Sequence, residues 1–115
     1  MVTRKGGHRV ETRREARNGT GTLTLVHLAE PEEMMGRGRM FAKAVLQPGD
    51  SIGLHTHQGE AEWFYILSGT ARILDNGREL LLEEGDTLCT PDGGSHRVEA
   101  AGGRPLEYIA LILKK

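Results

Sequence analysis

Four residues with metal-binding side chains are spaced so that a folded chain can bring them together. His55 and His57 stand two apart on an apparent strand, so both imidazoles project from one face. A short turn, Gln58 to Ala61, then folds the chain back and delivers Glu62 on a neighbouring strand. Glu60 competes for the same role, and strand phase favours Glu62. His96 arrives far along the chain, just after the turn-forming run Pro91-Asp92-Gly93-Gly94. Neutral imidazoles with one carboxylate form a nitrogen and oxygen donor set suited to first-row divalent metals. On a metal that prefers six donors, such as manganese or iron, these four leave one or two positions open for substrate or dioxygen. A His-X-His pair alone is weakly diagnostic. His8 and His27 have no such company and read as surface or hydrogen-bonded core residues.

To hold those side chains in place the sequence offers short strands separated by Gly, Pro and Asp. Strands are expected at Thr22–Leu28, Met40–Leu46, Ser51–His57, Glu62–Leu67, Ala71–Leu74, Glu79–Glu83, Thr87–Thr90, His96–Ala100 and Leu106–Leu113. Asp75-Asn76-Gly77-Arg78 is the strongest hairpin signal, because Asn-Gly accepts the positive φ angles of a tight primed turn. Glu32–Met35 reads as a helical turn, and Val10–Arg17 as helical or extended. The fold class is all-β, an antiparallel barrel or sandwich.

Length, charge and cysteine use narrow the rest. At 115 residues there is room for one domain: residues 1–20 read as a charged arm and 21–115 as the β-barrel. No stretch approaches the roughly 20 apolar residues of a membrane span, and the first residues lack the apolar segment of a secretory signal. The lone Cys89 suits a reducing cytoplasm and reads as a small buried hydrophobe. The net charge is −1, which gives no global pull toward nucleic acid or membrane. The arm is basic, with Arg4, Lys5, Arg9, Arg13, Arg14 and Arg17 against Glu11 and Glu15. No aromatic residue is interleaved with those charges, so it reads as a solvated tail rather than a nucleic-acid arm.

Two strands are apolar on both faces. Trp63, Tyr65 and Leu67 alternate with Glu62, Phe64 and Ile66, and Ile109, Leu111 and Leu113 alternate with Tyr108, Ala110 and Ile112. A small barrel has one interior, so the second face calls for another cover, a second subunit in a homodimer.

The spacings themselves resemble those of the cupin superfamily. Gly49, five residues, His55-Thr56-His57, four residues, Glu62, six residues and Gly69 match its first motif. Gly85, five residues, Pro91-Asp92-Gly93, two residues and His96 match its second, with Ala100 where the family has Asn. The resemblance implies a jelly-roll barrel (a double-stranded β-helix) with His55, His57, Glu62 and His96 holding one divalent metal per chain. Manganese or iron is favoured, and zinc or nickel is an alternative. Ala61-Glu62-Trp63, Tyr65, Gly69 and Ala71-Arg72-Ile73 look like a stretch of the bacterial oxalate decarboxylases. Those enzymes carry an Arg three residues before the first motif His, where this chain has Ile52, and a lid that has no clear counterpart here. Arg39 is a candidate replacement cation. The resemblance therefore implies metal-dependent decarboxylase or dioxygenase chemistry on a small anionic or oxygen-rich molecule. A sugar isomerase or epimerase, and a metal-dependent binding or sensing module without turnover, are its alternatives.

Overall fold

The computed structural model describes all 115 residues. Ten strands follow one another: β1 (Val10–Arg14), β2 (Thr22–Ala29), β3 (Gly38–Leu46), β4 (Ser51–Thr56), β5 (Glu60–Ser68), β6 (Thr70–Asp75), β7 (Arg78–Leu82), β8 (Thr87–Thr90), β9 (Ser95–Ala101) and β10 (Leu106–Lys114). They form a six-stranded sheet ordered β1-β2-β3-β10-β5-β8 and a four-stranded sheet ordered β4-β9-β6-β7. Every pairing is antiparallel. No helix is long and apolar enough to cross a membrane.

Period-two patterning explains which side chains meet between the sheets. On β10, Leu106, Tyr108, Ala110 and Ile112 are buried while Ile109, Leu111 and Leu113 are half-buried on the outer face. On β5, Phe64 and Ile66 point in, whereas Trp63 and Tyr65 remain 38% and 47% exposed. Leu25, Leu46, Ile73, Val98 and Leu106 join them in one apolar cluster. Asn76 and Gly77 turn the β6–β7 hairpin with φ of 48° and 85°, as the Asn-Gly signal requires. Pro31–Met34 forms a single 3-10 turn, capped reciprocally by Glu30 and Glu33.

Two expectations need correction. The basic N-terminal segment is not a free tail from Val10 onward, because β1 pairs along its length with β2 as an edge strand. Val-Glu-Thr-Arg-Arg has no apolar face to announce a strand. Its inner face is satisfied by charge instead: Arg13 Nε donates to Glu11 at 2.7 Å, and Glu11 meets buried His27 Nε2 at 2.8 Å. Cys89 is exposed rather than buried. On β8 the neighbours Leu88 and Thr90 take the inward phase, which leaves Cys89 on the outer face opposite Trp63.

Candidate metal centre

The centre forms where the two sheets close on each other. Sheet pairing sets His55 directly across from His96, while Glu62 comes from β5 of the other sheet. His57 lies one residue past the end of β4, and the Pro91–Gly94 turn fixes its backbone. Its N–H donates to the Gly94 carbonyl at 2.9 Å, and its carbonyl accepts from Gly93 at 2.7 Å.

A bulge on β4 sets the phase of His55. Ile52 pairs with Val98 and His55 with His96, so two residues of β4 face one of β9. Ile52 and His55 therefore both point inward although they are three apart, and Leu54 is turned out to solvent. Simple alternation over Ser51–His57 does not anticipate this. The local signal is Gly53, where a Cβ would collide with the Arg17 carbonyl oxygen.

One donor atom from each of His55, His57, Glu62 and His96 lies within 4.8 Å of the other three. His57 Nε2 is 2.8 Å and His96 Nε2 3.1 Å from the same Glu62 oxygen, and the two nitrogens are 3.1 Å apart. Outside the cluster each ring is held by its other nitrogen. His55 Nδ1 donates to the Gly53 carbonyl at 2.7 Å, and His57 Nδ1 donates to Glu60 Oε2 at 2.6 Å. His96 Nδ1 shares a 2.7 Å hydrogen bond with the buried Thr90 hydroxyl. With Nδ1 of His55 and His57 donating outward, their Nε2 atoms are left to face Glu62 together with His96 Nε2. So close a gathering of acceptors calls for a cation among them, and the donors fit a divalent metal.

The geometry also separates the two competing glutamates. Glu62 faces the imidazole cluster. Glu60 sits behind His57 and is clasped by Arg39, with Nε at 2.6 Å and the second nitrogen at 2.8 Å. The Arg39 guanidinium, then His57, holds the Glu60 carboxyl down to about 2. Burial opposes ionisation of Glu62, yet its hydrogen bonds to His57 and His96 outweigh that and keep it below the usual carboxylate value. The Glu62 contact raises His57, while burial lowers His55. His27 and His8 stand apart from the centre, and His8 Nδ1 is hydrogen-bonded to the His27 carbonyl.

Above the cluster is a cavity of ≈ 60 Å³. That is room for a small-molecule guest, since a single water needs only about 10–15 Å³ of occupied space. Its walls carry Ile52, Phe64 and Tyr108, and three arginines, Arg13, Arg17 and Arg39, reach its edge. Arg39 is thus at the cavity, as a replacement cation must be, but it is already committed to Glu60.

The Cupin domain family matches residues 42–112. An "oxalate-binding protein" of Thermotoga maritima is 39% identical over 113 residues, which cover 98% of this chain and 93% of that protein. A crystal structure from the same organism, described as a predicted oxalate decarboxylase, superposes with a TM-score of 0.95 at 38% identity over the whole of both chains. The tetracenomycin polyketide synthase protein TcmJ of Streptomyces glaucescens is 31% identical over 96 residues, 84% of this chain and 62% of that one.

Proposed function

The chain belongs to the cupin family, and from that membership we propose that it is a metal-dependent binder of a small dianion of the oxalate class. The observation that carries this reading is the placement of His55, His57, Glu62 and His96 together in the lining of a cavity that three arginines also line. The oxalate-binding relative, similar along nearly its full length, supplies the class of guest.

One divalent ion per chain would be held by three imidazoles and one carboxylate, with manganese or iron suited to the set. Such an ion supplies a Lewis acid with open positions for carboxylate oxygens. The rest falls to the chain. The cavity arginines favour negative charge there, and Ile52 and Phe64 add apolar wall.

Binding fits the residues better than decarboxylation does. Replacing CO2 by hydrogen needs a proton donor beside the reacting carbon. No Asp, Lys or Cys lines the cavity, and Glu62 is committed to the histidines. Tyr108 is the neutral donor in the wall, and burial raises its hydroxyl well above the ordinary value of 10. A phenol of that strength is a poor acid near neutrality.

The test is calorimetric titration of oxalate into protein loaded with manganese, and into the same protein after chelation. Saturable binding at one site per chain, lost on chelation, with no formate formed, is expected. Absence of binding to the loaded protein would sink the reading, and steady conversion of oxalate to formate would replace it with an enzymatic one.

We further propose that the working form is a homodimer joined through the outer face of the six-stranded sheet, where Trp63 and Tyr65 adjoin Ile109 and Leu111.

A further inference from the structure

Between β1 and β2 the chain forms a strap, Glu15 to Gly21, across the start of β4. It contains a 3-10 turn at Ala16–Asn18, and its backbone is unusual. Glu15, Arg17 and Asn18 all have left-handed φ, at 48°, 53° and 63°. Single residues of that kind are uncommon outside glycine, and three within four positions persist only when the surroundings enforce them.

The surroundings do enforce them. Ser51 N donates to the Thr20 carbonyl at 2.8 Å, and Thr20 N donates to Ser51 Oγ at 2.9 Å. Thr22 N donates to Asp50 at 3.2 Å. Three glycines permit the close approach: a Cβ on Gly19 would strike the Ser51 carbonyl, one on Gly21 the Asp50 carboxylate, and one on Gly53 the Arg17 carbonyl. The result of this anchoring is that Ala16 and Arg17 become part of the cavity lining.

Arg17 differs from the other two arginines there. Arg13 is paired with Glu11 at 2.7 Å and Arg39 with Glu60 at 2.6 Å, whereas Arg17 has neither an ion pair nor a side-chain hydrogen bond. A strained, firmly tied backbone thus places an uncommitted arginine in the lining of the cavity, close enough for its charge to be felt at His55. Ile52, which points inward on β4, brings no charge to the cavity, and Arg17 of the strap lines the same cavity.

We propose that Arg17 is the residue that recognises the second carboxylate of the bound dianion, so that selection of dianions over monoanions resides in the strap. The inference rests on the dianion-binding reading above. A planar guanidinium offers two parallel N–H groups to one carboxylate, and the opposite end of the guest would lie on the metal.

The test uses the full chain loaded with manganese and titrated with oxalate, then with formate as a one-carboxylate probe. Arg17→Gln should weaken oxalate at least about tenfold, the usual scale for a charged hydrogen bond, and leave formate within about twofold. Arg17→Lys should recover part of the loss. Arg14→Gln, at an exposed position off the cavity, removes the same charge and should bind oxalate as the unaltered chain does. Manganese content, measured for each variant, should stay at one per chain and so report an intact centre. If Arg17→Gln binds oxalate within twofold of the unaltered protein, or if Arg14→Gln loses as much, the assignment of Arg17 fails while the dianion reading stands. If the unaltered loaded protein binds no oxalate, both fall together.

Discussion

At the scale of single residues, the orientation of His57 depends on a neighbour that never touches the proposed ion. Glu60 holds its Nδ1 at 2.6 Å and is itself held by Arg39. Such outer partners typically contribute 10–100-fold to metal affinity. Glu60→Gln keeps the shape and removes the charge, so manganese affinity, read by competition with a chelator, is expected to fall about tenfold or more. Protons compete for the same nitrogens. In the metal-free protein the contact with Glu62 raises His57 above its ordinary 6.5. Its contribution to metal-free stability is therefore complete below that value and is lost as pH rises through the raised one. Burial lowers His55, so its contribution has the opposite sign, present above 6.5 and lost as pH falls through the lowered value. Metal binding requires both neutral. The gain in melting temperature on loading manganese should consequently grow from pH 6 to pH 8, and a gain that shrinks over that range would contradict the ligand assignment.

At the scale of elements, the core strands were legible from apolar runs bounded by Gly, Pro and Asp. Nine of them fall close to their expected limits, with Thr87–Thr90 unchanged and Leu106–Lys114 longer by one residue. Elements without that signal were left open, as for Val10–Arg17, readable as helical or extended, or were missed. β1 is stabilised by pairing and by charge on its inner face, and the β4 bulge arises from a close backbone approach that no periodicity encodes. The candidate ligands were legible because their spacing is fixed by two tight turns. The proposed role of Arg17 was not, because that residue joins the cavity lining from a strap distant in sequence. Gly53→Ala tests how closely strap and bulge are joined. A methyl group there meets the Arg17 carbonyl, and overpacking of this kind costs about 1–3 kcal/mol. The expected outcome is a lower urea midpoint together with weakened oxalate binding, since the strap must shift to admit the new group.

At the scale of the whole molecule, the outer face of the six-stranded sheet is the feature that one chain leaves unfinished. Leu111 lies between Phe41 and Trp63, and Ile109 between Lys43 and Tyr65. Strand β2 adds Val26 beside Lys43 but does not lie over the sheet. Each large apolar side chain left in water forgoes roughly 1.5–3 kcal/mol of burial, and a two-fold partner presenting the same face would recover it symmetrically. Light scattering at micromolar concentration is expected to give twice the chain mass. A value near 12.6 kDa would rule out the dimer. Cys89, on the same face, gives a second readout: a maleimide should label it slowly in the assembled protein and rapidly in a Trp63→Glu variant.

The candidate donors are shared between the sheets, with Glu62 on one and His55 and His96 on the other. An ion held by both acts as a strut, and the work of separating the sheets then includes the work of releasing it. Mass action sets the scale: free metal at a thousand times its dissociation constant adds about 4 kcal/mol, which for a domain of this size is roughly 15 °C or more in melting temperature. The heat resistance of this protein would then be partly a property of its medium, falling in a metal-poor buffer with no residue changed. Hydrogen exchange should reveal the same dependence locally, with the amides of His57 and Gly93 losing protection on chelation before those of Leu106 and Tyr108.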